Sequence, residues 1–254
     1  MSGQITGGTL YLVSTPIGNL GDITLRALEV LRGVDLVAAE DTRTTGNLLR
    51  HHGIEQRLVS YHSHNEARRA GWLKDQLLAG RSVALTADAG TPGVSDPAYA
   101  VVREALAAGV PVVPVPGASA LLSALVVSGL PTDRFVFEGF LPVKKGRRAR
   151  FERLREETRT AVIYESPFRV ERTLREILEM VGDRPAALAR EITKKFEEVR
   201  RGRVSALLDG VRQKPPKGEC VIVLAGAGFG PERGPETAPG EDNDAEEEDG
   251  DGRG

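Results

Sequence analysis

Five short segments of the sequence combine glycine, proline or histidine with small polar and charged residues, and each follows an apolar run. They are residues 14–22, 40–43, 62–66, 88–97 and 116–120. Their carboxylates and hydroxyls can bind a polar small molecule, and a carboxylate or an imidazole can accept the proton of a hydroxyl nucleophile. The first segment lacks the glycine spacing of a dinucleotide site, and the sequence contains no Walker A motif. A ligand without a diphosphate therefore suits these segments better than NAD or ATP.

The apolar runs that precede these segments predict buried parallel strands, because they are rich in Val, Leu and Ala and do not alternate with polar residues. They are Thr9–Ser14, Asp35–Ala39, Leu58–Tyr61, Val83–Ala87 and Val110–Val115. Helix-length segments separate them. We expect Asp22 to cap a helix that ends near Gly33, and Asp96 to cap one that begins at Pro97 and ends at Gly109. This alternation predicts an α/β fold whose five polar loops lie at the carboxyl edge of a parallel sheet, where such sheets bind ligands.

After Pro131 the pattern changes to that of a second, mixed α/β domain. Further apolar runs predict strands at Phe135–Phe140, Thr160–Glu165, Ala186–Ile192 and Cys220–Ala225. Helices are expected among them, a basic one at Arg147–Glu157 and another at Phe168–Val181. We therefore expect a flexible N-terminus at residues 1–8, an N-terminal α/β domain at 9–131, a C-terminal α/β domain at 132–228 and a disordered tail at 229–254.

Composition and charge narrow the class of protein. The single cysteine among 254 residues excludes a disulfide scaffold and a cysteine-rich zinc module. There is no apolar run of membrane-helix length and no signal-peptide pattern, so we expect a cytoplasmic protein that does not bind a membrane. The formal charge of −2 is uneven, because Pro231–Gly254 carries −8 and residues 1–230 carry +6. The acidic stretch is too polar to fold by itself, whereas the basic body permits a nucleic-acid partner.

Eight short strings, spread in order over residues 9–225, carry a resemblance to a known family. They are LVSTPIGNL (12–20), AEDTR (39–43), HNE (64–66), DAGTP (88–92), EGFLP (138–142), YES (164–166), AREITK (189–194) and KGE (217–219). These strings resemble those of the ribosomal RNA small subunit methyltransferase I family, which belongs to the tetrapyrrole methylase superfamily. Some members of the family continue into a small helical segment where this sequence has its acidic stretch.

The resemblance implies a two-domain tetrapyrrole-methylase-like fold, with S-adenosyl-L-methionine bound in the cleft between the domains, and a homodimer. It also implies methylation of the ribose 2′-hydroxyl of a decoding-centre cytidine in the 16S rRNA of the small ribosomal subunit. Carried over motif by motif, the cofactor contacts are Pro16, Ile17, Gly18, Asn19, Asp88, Gly90, Thr91, Ser119, Ala120, Tyr164, Glu165, Ala189 and Arg190.

A ribose hydroxyl is a weak nucleophile and benefits from a base that takes its proton. The side chains at the predicted edge that could do this are Glu40, Asp41, His62, His64 and Glu66. We prefer Asp41 assisted by Arg43 and retain His62 and Glu66 as further catalytic candidates. The alternative for Asp41 and Arg43 is a helix cap with a surface ion pair. His62 and His64 could also hold a metal, but no cysteine is nearby and methyl transfer needs no metal, so we expect none.

Positive charge is concentrated just after the string that ends at Pro142. We expect phosphate contacts from Lys144, Lys145, Arg147, Arg148 and Arg150. The alternative is a solvated helix face. Because aromatic residues make up only 5% of the chain, we do not expect extensive base stacking. Two other functions stay open, a methyltransferase acting on a tetrapyrrole or another small molecule, and a non-catalytic RNA-binding factor in ribosome assembly.

Overall fold

The computed structural model describes residues 5–62 and 66–230, and within these ranges the strands form two five-stranded sheets. The first sheet contains β1 (Leu10–Val13), β2 (Leu36–Ala39), β3 (Leu58–Ser60), β4 (Val83–Thr86) and β5 (Val112–Val115). Its order is β3-β2-β4-β1-β5, and every pairing in it is parallel. The predicted parallel sheet is therefore confirmed, with strands that are one or two residues shorter at their ends than the apolar runs.

Helices cover both faces of the first sheet. They are α1 (Leu25–Gly33), α2 (Thr42–His51), α3 (Glu66–Leu78) and α4 (Ala98–Ala107). On one face Leu10 packs with apolar residues of α3 and α4, and on the other face Tyr11 packs with those of α1 and α2. This two-sided burial explains why the strands read as continuous apolar runs and why their polar residues lie in the loops.

The two helix starts predicted at Asp22 and at Pro97 both lie before the starts in the structure, where α1 begins at Leu25 and α4 at Ala98. Asn19 begins a short 3-10 turn that ends at Asp22, so α1 starts later and its cap is Thr24, whose Oγ1 accepts the Ala27 N–H at 3.1 Å. Asp96 does accept the Ala98 N–H at 2.9 Å. Its carboxylate also accepts a backbone N–H within its own loop, so Asp96 shapes that loop as well as the start of α4.

The second sheet is mixed, as predicted. It contains β6 (Phe135–Phe140), β7 (Thr160–Glu165), β8 (Pro185–Arg190), β9 (Glu198–Arg203) and β10 (Cys220–Leu224) in the order β6-β7-β10-β8-β9. The β6–β7 pairing is parallel and the other pairings are antiparallel. We had not predicted β9, because its sequence EVRRGR is charged rather than apolar. It lies at the edge of the sheet, where charged residues are common.

The second sheet is covered by α6 (Arg147–Glu156), α7 (Val170–Met180) and α8 (Val204–Gln213) on one face and by α5 (Ala120–Val127) on the other. The α5 helix follows the first sheet in the chain but packs against the second. Its first turn is held by Tyr164, whose hydroxyl accepts the Leu121 N–H at 2.9 Å, and at its end Arg201 Nε donates to the Val127 carbonyl at 2.8 Å. One helix thus joins the two sheets.

Residues near the described N-terminus are attached to the first sheet, although we expected residues 1–8 to be flexible. Ile5 packs against the apolar cluster beside α1, and the Thr6 N–H donates to the Tyr11 hydroxyl at 2.9 Å. The expected tail falls outside the described residues from 231 onward. In the part of the chain that the structure describes, no helix is long and apolar enough to cross a membrane.

Candidate active site

A cavity of about 350 Å³ lies at the carboxyl edge of the first sheet and is closed from the other side by the second sheet. Its volume is in the range of small-molecule sites. Eight of the predicted cofactor residues line it: Ile17, Asp88, Gly90, Thr91, Ser119, Ala120, Tyr164 and Glu165. Four of the five polar loops that were predicted to meet at the edge of the first sheet contribute to this cavity, and residues of the second sheet close the cleft that the resemblance implied.

The other predicted cofactor residues lie elsewhere. Pro16 and Gly18 line an adjoining pocket of about 360 Å³. Asn19 accepts the Gly21 N–H, which begins the 3-10 turn. Ala189 is fully buried in the core of the second sheet, and the Arg190 guanidinium donates to the carbonyls of residues 196 and 217. Neither of these last two side chains reaches the cavity.

The first and fourth loops are joined beneath the cavity by a close backbone contact at Gly90. The Thr15 N–H donates to the Gly90 carbonyl at 2.9 Å, and the Gly90 N–H donates to the Thr15 carbonyl at 3.0 Å. Gly90 has φ 81°, a left-handed conformation that glycine adopts readily. The Ser14 hydroxyl lies 3.1 Å from the Thr91 hydroxyl beside this contact. The glycine of the DAGTP string is therefore needed for the backbone that forms one wall of the cavity.

Two carboxylates connect the second and fourth loops at the cavity. The Asp88 N–H donates to Glu40 Oε2 at 3.2 Å, and the Asp41 N–H donates to Asp88 Oδ1 at 2.8 Å. Burial raises the pKa of the Glu40 carboxyl, and the negative charges of Asp88 and Asp96 raise it further. Glu40, which lines the cavity, is thus a carboxylate whose proton affinity is increased by its surroundings.

Asp41 and Arg43, the preferred catalytic pair, have the geometry of the alternative, which is a helix cap with a surface ion pair. Asp41 caps α2 by accepting the Arg43 N–H at 2.8 Å, and the Arg43 guanidinium lies 2.7 Å from its carboxylate. These hydrogen bonds lower the pKa of Asp41 to about 2. A carboxylate that holds protons so weakly is a poor general base. Neither residue lines the cavity within the described part of the chain.

The two remaining catalytic candidates lie in or beside the third loop. His62 is half-buried and close enough to Glu40 for its charge to lower the pKa of that carboxyl. Glu66 begins α3, but its side chain is outside the described residues, as is the whole of His64. The structure therefore places His62 beside the cavity and gives no position for the other two side chains.

The second sheet supplies cavity residues that the sequence did not single out. They are Phe140, Ser166, Pro167, Glu219, Cys220 and Val221. Most of them fall within or beside the EGFLP, YES and KGE strings, so the resemblance marked these positions without assigning them a role. Burial raises the pKa of the Cys220 thiol to about 11, so at neutral pH it is an uncharged wall residue and not a nucleophile.

Comparison with known proteins gives a consistent result. A family model described as tetrapyrrole (corrin/porphyrin) methylases matches residues 9–208. Ribosomal RNA small subunit methyltransferase I of Pseudomonas aeruginosa is 50% identical over 226 residues, which is 87% of this chain and 80% of that protein. The protein of the same name from Synechocystis sp. is 49% identical over 87% of this chain and 80% of its own length. The chain belongs to the ribosomal RNA small subunit methyltransferase I family of tetrapyrrole methylases.

Solved structures of other tetrapyrrole methylases confirm the fold of this ribosomal RNA small subunit methyltransferase I family member. A cobalt precorrin-4 methyltransferase has a TM-score of 0.63 at 18% identity and covers 86% of this chain and 95% of its own. Uroporphyrin-III C-methyltransferase from Thermus thermophilus, complexed with S-adenosyl homocysteine, has a TM-score of 0.58 at 22% identity and covers 85% of this chain and 97% of its own. Membership of the family confirms the prediction of a methyltransferase that uses S-adenosylmethionine.

The cavity offers both carboxylates and apolar side chains, which suit the polar and apolar parts of S-adenosylmethionine. The carboxylates of Asp88 and Asp96 can bind an ammonium group or ribose hydroxyls. Ile17, Val94 and Val221 form apolar walls for a purine and an aliphatic chain. Among the described residues that line the cavity there is no lysine or arginine, which is appropriate for a cofactor without phosphate groups.

The basic cluster of this family member lies beside the cavity, on the loop that follows β6 and on the first turn of α6. Lys144, Lys145 and Arg148 are exposed there, and Arg150 is half-buried with its guanidinium 2.6 Å from Glu138. Arg147 is different, because it is only 4% exposed and its guanidinium donates to Glu176, to Thr173 and to the Pro142 carbonyl. Arg147 is therefore not exposed for a phosphate contact as predicted, since its guanidinium points inward against α7.

Proposed function

We propose that this protein transfers a methyl group from S-adenosylmethionine to the 2′-hydroxyl of a cytidine ribose in the decoding centre of 16S rRNA. The observation that carries the proposal is the identity of 46% to 50% to proteins named ribosomal RNA small subunit methyltransferase I, over 87% of the chain. The cavity and the exposed cations beside it support the same conclusion. The small ribosomal subunit is the partner, and the cytoplasm is where we expect the reaction.

The reaction requires one oxygen nucleophile held in line with a sulfonium methyl group, so positioning supplies a large part of the catalysis. S-adenosylmethionine, when bound, supplies the electrophilic methyl group. The loops of β1 and β4, joined at Gly90, and the start of α5, held by Tyr164, fix the walls against which the two reactants are placed. The strands β1 and β4 that precede these loops are buried in two apolar cores, one on each face of the first sheet, which limits movement of the loops.

Glu40 is the residue best placed to accept the hydroxyl proton. It lines the cavity, and its carboxylate is held by the Asp88 N–H, while Asp41 is engaged by Arg43. A base is most effective when its pKa approaches the working pH, and Glu40 is shifted in that direction. We therefore assign proton removal to Glu40 in place of Asp41.

The test of the proposed function is nucleoside mapping of 16S rRNA by mass spectrometry, in cells with and without the gene. We expect one 2′-O-methylcytidine in the decoding centre to disappear in the deletion strain and to return when purified protein and S-adenosylmethionine are added to its 30S particles. An unchanged map would contradict the proposal. Methyl transfer to a tetrapyrrole and not to 30S particles would support the small-molecule alternative, and no methyl transfer at all would support the assembly-factor alternative.

Asp88→Asn is expected to weaken S-adenosylmethionine binding by about 10- to 100-fold, measured as Kd by calorimetry. The substitution removes a negative charge from the cavity, and a hydrogen bond to a charged group contributes about 1.5–3 kcal/mol. Asparagine still offers an oxygen to the Asp41 N–H, so the loop connection is retained. Asp209→Asn, an exposed position on α8, is the control and should leave Kd unchanged. An unchanged Kd for Asp88→Asn would refute its placement beside the cofactor.

Removing the exposed cations Lys144, Lys145 and Arg148 together, by substitution with alanine, is expected to weaken binding to 30S particles. Each phosphate contact that is lost should reduce the slope of log affinity against log salt by about 0.7–0.9. The affinity for S-adenosylmethionine should be retained, because none of these residues lines the cavity. The charge-matched control is the triple variant of Arg57 and Arg81, which are exposed in the loops before β3 and β4, and Arg103, which is exposed on α4. A salt slope equal to that of the wild type would identify the cluster as a solvated surface.

The homodimer that the resemblance implies is part of the proposal. The α5 helix carries exposed apolar side chains on its outer face at Leu122, Val126 and Val127, while Ala124 and Leu125 face the second sheet. Contiguous exposed apolar residues of this kind are typical of protein interfaces. Light scattering on the purified protein measures the oligomeric state directly.

A further inference from the structure

Two phenylalanine rings are exposed beside the cavity. Phe168 is 96% exposed and Phe140 is 56% exposed, although large aromatic side chains are normally packed. Phe140 lines the cavity, and Phe168 directly follows Ser166 and Pro167, which also line it. In a chain with only seven phenylalanines, two exposed ones at the same opening need an explanation.

The loops that carry these rings are fixed to each other. Arg169, next to Phe168, donates to the Leu141 carbonyl, next to Phe140, at 3.4 Å. Its guanidinium also lies 2.6 Å from the buried carboxylate of Glu165. The Phe140 ring makes an edge contact with the Tyr164 ring, with centroids 5.7 Å apart. The backbone segments that carry the two rings are therefore connected to each other, while the rings themselves stay exposed.

Exposed cations follow each of the two exposed rings along the chain. Beyond Phe140 the same loop continues into Val143, which is also exposed, and then into Lys144 and Lys145. Arg148 and Arg172 are exposed on α6 and α7 and line a shallow groove beside these lysines. Exposed aromatic faces next to a cationic groove are the two features by which proteins bind single-stranded nucleic acid, through base stacking and phosphate contacts.

We propose that Phe140 and Phe168 form a stacking platform for unpaired RNA bases at the mouth of the cavity. This proposal rests on the proposed function. A ribose hydroxyl can enter the cavity only if its nucleotide leaves the stacked RNA, and the stacking energy lost in this way must be replaced. Stacking of the unpaired bases on the two rings replaces this energy at the cavity mouth, and the neighbouring cations bind the flanking phosphates. A second protein chain is the less suitable occupant, because lysine is depleted at the centre of protein interfaces.

The experiment measures binding of two labelled single-stranded RNAs by fluorescence anisotropy. Both have about ten nucleotides, within the site sizes of such grooves, and one lacks the bases at its central positions. Wild-type protein should prefer the intact RNA. Phe168→Ala should weaken binding of the intact RNA by about 5- to 100-fold and leave binding of the abasic RNA unchanged, since each stacked base contributes about 1–3 kcal/mol. Phe168→Trp should retain the preference.

Leu106→Ala is the matched control, because Leu106 is an exposed apolar residue near the end of α4 and remote from the cavity mouth. The Leu106→Ala variant should bind both RNAs as the wild type does.

With 30S particles, Phe168→Ala should raise KM and leave kcat and the Kd of S-adenosylmethionine unchanged. Equal binding of both RNAs by wild type and Phe168→Ala would overturn the platform. A change of oligomeric state in Phe168→Ala, seen by light scattering, would also overturn it and identify a second copy as the occupant. If Phe168→Ala loses the preference for the intact RNA but the 16S rRNA map of the deletion strain is unchanged, the stacking platform is supported and only the proposed substrate is refuted.

Discussion

Glu40→Gln is expected to lower kcat for methylation of 30S particles by about 100- to 10,000-fold, the usual contribution of a general base. Glutamine keeps an oxygen that can accept the Asp88 N–H, so the loop geometry is preserved while the proton acceptor is lost. The Kd of S-adenosylmethionine should change little. The measurement is single-turnover transfer of a labelled methyl group into 30S particles from the deletion strain.

The same residue determines the expected pH dependence. Proton removal requires the ionised carboxylate, and burial raises the pKa of Glu40 above the ordinary value for glutamate, about 4.3. The rate should therefore fall as the pH is lowered through this raised pKa, at a higher pH than an exposed glutamate would give. In Glu40→Gln this acid limb should be absent.

Asp41→Asn is the matched control for Glu40→Gln, because it alters the adjacent carboxylate. Asparagine can still cap α2, and the exposed ion pair with Arg43 that it removes is worth little. We expect a rate within about threefold of the wild type, since such exposed pairs contribute little to stability and this pair lies outside the cavity lining. A large loss of rate in Asp41→Asn, with Glu40→Gln active, would restore Asp41 as the base.

Arg147→Ala is expected to lower the free energy of unfolding by about 1–3 kcal/mol, the usual cost of leaving a buried polar group unsatisfied, as measured by urea denaturation. The guanidinium is buried, and its loss leaves the Pro142 carbonyl without this donor, while the Glu176 carboxylate loses its 2.6 Å partner and keeps Arg172 at 3.0 Å. The guanidinium also stacks over the Phe151 ring, with 5.2 Å to the ring centroid. The effect should be the same at low and high salt, because buried pairs are weakly screened.

Arg148→Ala is the control for this substitution, since the Arg148 side chain is 85% exposed and pairs with Glu152 on the same helix. Its effect on the free energy of unfolding should stay within about 0.5 kcal/mol, as for most surface substitutions. If Arg147→Ala instead kept its stability and lost affinity for 30S particles, Arg147 would belong to the RNA-binding surface that the sequence predicted.

The sequence was informative where one physical rule dominated. Apolar runs without polar alternation identified the strands of the first sheet, and polar loops after each run identified the edge that holds the cavity. The β9 strand was missed because it forms on a charged edge, where pairing with β8 and not burial selects the strand conformation.

Where the structure places a predicted site residue differently, the cause is the same, because residue type and spacing do not determine which way a side chain points. Glu40 and Asp41 are adjacent carboxylates, and only the fold determines that one faces the cavity and the other caps α2. Arg147 belongs to a run of cations, yet it shares the buried face of α6 with Phe151 and Leu154, which are four and seven residues further on. That spacing was readable in the sequence, but the partners on α7 that make the burial of a charge possible were not.

The packing of α5 determines how the molecule can be divided. By chain position this helix ends the first half, but its inner face completes the core of the second sheet beside Val162, Ala187 and Val223. A cut near Pro131 would therefore leave one fragment with an unsupported apolar helix and the other with an uncovered sheet. We therefore expect each fragment from such a cut to be less stable than the same segment in the intact chain.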